Sequence, residues 1–166
     1  SFYAGADAGI TGVRDNDETT YDYRYLKTPE AVAVPAQVPF QPELLPPDGT
    51  LRERLAAWIT HPENRAFART AVNRLWALMF NKPLLEPIDD IPLHGKFPPG
   101  LELLADQFIS SGFDIQKLLR LIAASRPFQL ASRSDDPERP ITESHEFHWA
   151  AFPLTRLRPD QVIGSV

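Results

Sequence analysis

Asn64-Arg65-Ala66-Phe67-Ala68-Arg69-Thr70-Ala71-Val72-Asn73-Arg74-Leu75-Trp76-Ala77-Leu78-Met79-Phe80 decides how this chain folds. At ~100° per residue, Phe67, Ala71, Val72, Leu75, Trp76, Leu78 and Met79 sweep out about half of a helical circumference. Thr70 and Ala77 lie opposite. An apolar arc that wide suits a helix packed against at least two others. Arg69 and Asn73 fall four apart on one border of the arc, next to Trp76, and Arg74 falls on the other. Border side chains of this kind lay their stems on the core and keep their heads wet. Asn64 is placed to accept from the free amides of the first turn, and Asn81 and Pro83 end the helix.

Further helices are read on both sides. Upstream, Thr50-Leu51-Arg52-Glu53 is a capping box opening a short helix through Ile59, with Leu51, Leu55, Trp58 and Ile59 on one face. Downstream, Pro83 to Pro99 reads as a long loop with enough apolar residues to pack down. Leu101 to Ser111 is the next helix, with Leu101, Leu104, Ala105 and Phe108 inward and Gly112 suited to the left-handed position after it. Asp114 caps a helix from Ile115 to Ser125 that buries Ile115, Leu118, Leu119 and Ile122. Thr142 to Trp149 reads as a short helix, and Pro159 as the start of one more, which Val166 interrupts. That interruption suggests a native polypeptide that continues.

Residues 1–49 differ. Gly, Pro and Asp recur there, and no helical period emerges. Tyr21, Tyr23 and Tyr25 alternate with Asp22 and Arg24 as in a half-buried strand, and Ala31-Val32-Ala33-Val34 is its pairing candidate. An extended arm without pairing fits the same residues. Pro35, Pro39, Pro42, Pro46 and Pro47 then make a stiff connection.

Composition bounds the function. The chain has 166 residues, 43% of them hydrophobic, and a net charge of -5. Without a run of Lys or Arg, nucleic acid and anionic membrane are not the expected partners. No apolar stretch approaches the ~20 residues of a membrane span. The absence of cysteine removes disulfides, thiolate zinc sites, cysteine nucleophiles and thioether-linked haem from this segment.

Arg52-x-x-Leu55-Ala56-x-Trp58-Ile59-Thr60-His61-Pro62-Glu63-Asn64, followed by Phe67-Ala68-Arg69-x-x-Val72-Asn73-Arg74-Leu75-Trp76, resembles the bacterial domain of unknown function 1553, also called planctomycete-specific domain one. Leu85-x-Pro87-x-Asp89-Asp90 is similar to that family's loop motif. Leu101, Leu103, Leu104, Ala105 and Phe108, then Gly112-Phe113-Asp114 with Lys117, Leu119 and Arg120, resemble its next two helices. Ser125-Arg126-x-Phe128-Gln129-Leu130 and Arg156-Leu157-Arg158-Pro159-Asp160-Gln161 complete the likeness. Arg65 departs from it, standing where the family has Pro. The resemblance covers about residues 50–166, the first part of that domain. It implies a module of large exported bacterial proteins, periplasmic or on the cell surface, that often carry cytochrome-c-like haem domains. Haem is then expected in a neighbouring domain, with no cofactor in this segment. The expected partners are neighbouring domains of the same polypeptide, another protein or a carbohydrate.

Four constellations have chemistry within reach. Asp89, Asp90 and His94 could bind a hard metal or work as acid and base, although their spacing matches no strong metal motif. The structural alternative has the carboxylates accepting from loop amides and pairing with Arg69 or Arg74. Arg69, Asn73, Arg74 and Trp76 could hold an anion or a sugar face, or simply bracket the helix to the following loop. His145, Glu146 and His148 lack the four-residue histidine spacing of zinc proteases and read as solvated. Ser125, beside Arg120 and Arg126, has no base or nucleophile elbow around it.

The expected fold is mainly α: a compact bundle of about five or six short helices around the central one. An extended, hairpin-compatible arm over residues 1–49 precedes a helical domain over 50–166. The expected role is structural or interactive. The alternatives are a metal-dependent or acid/base enzyme domain using Asp89, Asp90 and His94, and an anion- or carbohydrate-binding module using Arg69, Arg74 and Trp76.

Overall fold

A computed structural model describes residues 2–16, 20–26 and 29–154. Two compact units divide the chain, Ser1–Asn64 and Arg65–Val166. Among the described residues there are five α-helices and two antiparallel two-stranded sheets.

In the first unit, β1 (Ala6–Gly9) pairs with β2 (Gly12–Asp15), and β3 (Tyr21–Tyr23) pairs with β4 (Val32–Val34). The second hairpin is the one that the tyrosine alternation anticipates, with Tyr21 opposite Val34 and Tyr23 opposite Val32. The first has no alternating apolar pattern to announce it; its turn rests on Gly12 at φ 150°. α1 (Leu51–Ile59) opens with the expected capping box: the Thr50 side chain accepts from the Glu53 amide, and Glu53 accepts from the Thr50 amide at 3.0 Å. Arg52 of α1 grips Asp15 at the end of β2, with Nη2 2.9 Å from Oδ2. The proline-rich connection is fastened to the same helix. Trp58 Nε1 donates to the Gln41 carbonyl at 3.2 Å, its ring centre lies 4.9 Å from that of Phe40, and Arg54 donates to the Pro46 carbonyl at 2.6 Å.

The second unit holds α2 (Arg65–Phe80), α3 (Pro99–Ser110), α4 (Ile115–Ala124) and α5 (Glu143–Phe147). Its core gathers Ala68, Val72, Trp76 and Phe80 from α2, Leu101, Ala105 and Phe108 from α3, and Leu118 and Ile122 from α4. Phe80 is its aromatic hub, with Trp76, Phe128, Trp149 and Phe152 all at 4.3–5.6 Å between ring centres. α3 ends as Gly112 requires: at φ 70° it lets the Gly112 amide donate to the Ile109 carbonyl and the Phe113 amide to the Phe108 carbonyl. Asp114 then caps α4, accepting from the Lys117 amide at 2.9 Å.

Three placements differ from expectation. Leu78 belongs to the expected apolar arc yet is 66% exposed, because the buried stripe of α2 runs through Ala68, Val72, Trp76 and Phe80 and takes in Asn73. That stripe is rotated by about 80° from the expected centre, toward Asn73. Ile115 is exposed rather than buried, since α4 turns only Leu118 and Ile122 fully inward. Asn64 does not cap α2: its Nδ2 donates back to the Trp58 carbonyl at 2.9 Å, and its buried Oδ1 has no hydrogen-bond partner. The expected helix after Pro159 and the Arg156–Gln161 motif lie outside the described residues.

Candidate functional site

The polar side chains of α2 converge on the loop over residues 81–98 and on the start of α3. Asn73, fully buried, spends its whole carboxamide on one residue of that loop. Nδ2 donates to the Leu85 carbonyl at 2.9 Å, and Oδ1 accepts from the Leu85 amide at 3.0 Å. A buried amide is tolerated only when paired in this way. Leu84, Leu85 and Phe97 of the loop pack against the core.

One turn earlier, Arg69 Nε donates to Glu102 Oε1 at 2.6 Å, and its guanidinium carbon lies 4.0 Å from the centre of the Phe97 ring. Glu102 also accepts from Arg65 Nη2 at 2.6 Å, while Arg65 Nη1 reaches Asp106 Oδ1 at 2.7 Å. Two cations and two carboxylates thus alternate across the contact between α2 and α3. The Arg69 hydrogen bond, seconded by Arg65, holds the Glu102 carboxyl below its ordinary range despite partial burial. Asp106 and then Glu102 push the Arg65 guanidinium further up. On the opposite border of α2, Arg74 pairs with Asp89, both side chains mostly exposed.

The candidate metal or acid/base residues therefore have separate surroundings. Asp89 faces Arg74, the Asp90 amide donates to the Pro87 carbonyl, and Asp90 and His94 are exposed. Among the described residues, no three His, Cys, Asp or Glu side chains group so as to hold a metal ion. Trp76 is 4% exposed, stacked on Phe80 and edge-on to Trp149. Its Nε1 finds no acceptor. With its ring covered in the core, it offers no open face beside the arginines.

A family model described as "PSD1: Protein of unknown function (DUF1553)" matches residues 51–166. The chain belongs to the DUF1553 family. Neither a curated protein nor a solved structure matches it. The family match begins at the first residue of α1 and takes in all five α-helices described, while both hairpins precede it.

The remaining polar candidates of this DUF1553 chain have local tasks. His145 Nδ1 accepts from the Thr142 amide at 3.1 Å at the start of α5, and His148 Nδ1 lies 2.8 Å from the Ser144 carbonyl. Ser125 Oγ donates to the Ile122 carbonyl at 2.6 Å, closing the end of α4. Glu102, Asp106 and Phe97, which receive the arginines of α2, carry no sequence signal for that role. They sit in other elements, and only tertiary folding brings them there. No helix among the described residues is long and apolar enough to cross a membrane.

Proposed function

We propose that this DUF1553 chain is a structural or interaction module of a larger exported bacterial protein, docking neighbouring domains of the same polypeptide. The observation that supports this reading is the employment of the α2 polar side chains. Asn73 is spent on Leu85, Arg65 and Arg69 on Glu102, and Arg74 on Asp89. A catalytic or ligand-binding helix would keep such groups convergent on an open cleft; here they fasten a loop and a second helix. On this reading the helical part is a mainly α bundle serving as a rigid mount. The location outside the cytoplasm and the haem of a neighbouring domain rest on the family likeness and belong to the proposal.

Two measurements test it. Isothermal titration of this chain with separately expressed neighbouring domains of the full-length protein should give saturable heat. A thermal-shift screen with divalent metals, inorganic phosphate and simple sugars should give no stabilisation. A ligand specific for the native state adds about 2.7 kcal/mol at 100 times its dissociation constant. A shift of that order that disappears in Asp90→Ala, together with no domain binding, would replace the module with the metal or acid/base alternative.

A further inference from the structure

Lys82 comes two residues after the last residue of α2. Between them Asn81 takes the left-handed conformation at φ 56°, and Pro83 restricts the Lys82 backbone from the other side. The side chain is led across the aromatic residues at the end of α5. Its Nζ lies 5.2 Å from the centre of the Phe147 ring and 5.9 Å from that of Trp149. Lys82 is half-buried there, and it forms no ion pair among the described residues.

The other wall is α5. His145 and His148 place their Nδ1 atoms against the main chain of α5 and its cap. Glu143, Glu146 and Phe147, three and four residues apart, share a helical face. Together with Lys82 and Ser144 they line a cavity of about 500 Å³, within the range of small-molecule sites. Glu146 Oε1 accepts from the Leu154 amide at 3.4 Å, and neither Glu143 nor Glu146 has a cation partner among the described residues. Phe147 is 67% exposed. Both walls are anchored to one hub: Phe80 stands two residues before Lys82, and its ring centre lies 5.2 Å from that of Trp149, two residues after Phe147. The fold thus holds a cation and two carboxylates around one cavity without letting them pair.

We propose that this cavity binds a free amino acid with an apolar side chain, its carboxylate on Lys82, its ammonium between Glu143 and Glu146, and its side chain on Phe147. Charge complementarity selects the occupant. A simple anion drawn to Lys82 meets two carboxylates, and a simple cation drawn to the glutamates meets Lys82. A ligand carrying both charges escapes both repulsions. Two carboxylates on one short helical face also repel each other, and an ammonium set between them relieves that strain. The site shares no residue with the α2 brackets on which the module reading rests, so either can fail without the other.

Ligand-observed NMR titration of the full chain at low ionic strength tests this with L-leucine, glycine, isoamylamine and 4-methylpentanoate. The last two are leucine without its carboxylate and without its ammonium. Leucine should bind saturably, and each of these two analogues at least about tenfold more weakly, since each lacks one charged hydrogen-bonding group. Glycine should bind at least about fivefold more weakly for want of apolar contact. K82Q should weaken leucine at least about tenfold yet bind isoamylamine as tightly as the wild type or more so. E143Q/E146Q should do the reverse, weakening leucine while keeping or improving 4-methylpentanoate. A merely structural role for these side chains would weaken every probe together. The proposal is overturned by no saturable leucine binding, by any of the three other probes matching leucine on the wild-type chain, or by K82Q leaving leucine affinity unchanged. The wild-type comparisons decide the matter even if a variant fails to fold.

Discussion

The Asn73 carboxamide holds both main-chain polar groups of Leu85, 2.9 Å from its carbonyl and 3.0 Å from its amide. Asn73 thus stands in for a neighbouring strand, in the middle of a helix and at zero exposure. Any substitution that removes the carboxamide orphans the Leu85 donor and acceptor together. Leaving buried groups unpaired costs about 1–3 kcal/mol each, reduced here because Leu85 is half-buried. Asn73→Ala and Asn73→Leu should each cost about 2–4 kcal/mol. Leucine restores volume but no hydrogen bond, so its failure to rescue separates pairing from packing. Urea midpoints near the wild type for Asn73→Leu would show that the bracket adds little.

This bracket also marks where sequence reading stops. The 3.6-residue period places α2, α3 and α4, and capping chemistry at Thr50 and Asp114 sets the starts of α1 and α4 closely. The bracketing role for Arg69, Asn73 and Arg74 was legible as a possibility, because polar residues at the border of an apolar arc need partners. The inward rotation of α2 was not legible. It depends on Leu85 presenting a paired amide and carbonyl to Asn73, a contact that no periodicity encodes. Leu78, apolar yet left outside, is the consequence. The β1–β2 hairpin was missed for a simpler reason: Ala6-Asp7-Ala8-Gly9 and Gly12-Val13-Arg14-Asp15 lack the alternating bulky residues that identify strands.

The rotated stripe separates two substitutions on the same helix. Phe80 is fully buried and ringed by four aromatic side chains. Phe80→Ala should cost about 3–5 kcal/mol. Leu78→Ala, at a position 66% exposed, should stay within about 0.5 kcal/mol of the wild type. With the apolar arc that includes Leu78 turned to the core, Leu78→Ala would instead cost about 2–5 kcal/mol. Equilibrium denaturation of both variants decides between the two placements of the helix.

Glu102 links the fold to pH. Its carboxyl is lowered in the native state, chiefly by the Arg69 hydrogen bond, so its contribution is fully present above the unfolded value. It is lost as pH falls through the lower folded value. The window therefore opens below about pH 5, starting from an unfolded pKa of about 4.3. With the side chain 31% exposed, solvent screening limits the pH-dependent part to about 1 kcal/mol. Glu102→Gln should flatten that slope between neutral pH and about pH 3. Urea midpoints against pH for both proteins provide the check, and parallel curves would remove Glu102 as the linked group.

Arg74 and Asp89 form an ion pair like that of Arg69 and Glu102, but in a different medium. Their side chains are 60% and 69% exposed, against 13% and 31% for the inner pair. In high dielectric the Coulomb gain is small and the cost of fixing two long side chains offsets much of it. A double-mutant cycle of Arg74→Ala and Asp89→Ala should give a coupling of about 0–0.5 kcal/mol, vanishing in 1 M salt. The same cycle on Arg69 and Glu102 should give a larger coupling, about 1–2 kcal/mol, that persists in salt because Phe97 covers the guanidinium. Equal couplings in the two cycles would mean that exposure does not rank these brackets. In that case the loop over residues 81–98 would be held as firmly at its Asp89 end as α2 is held to α3.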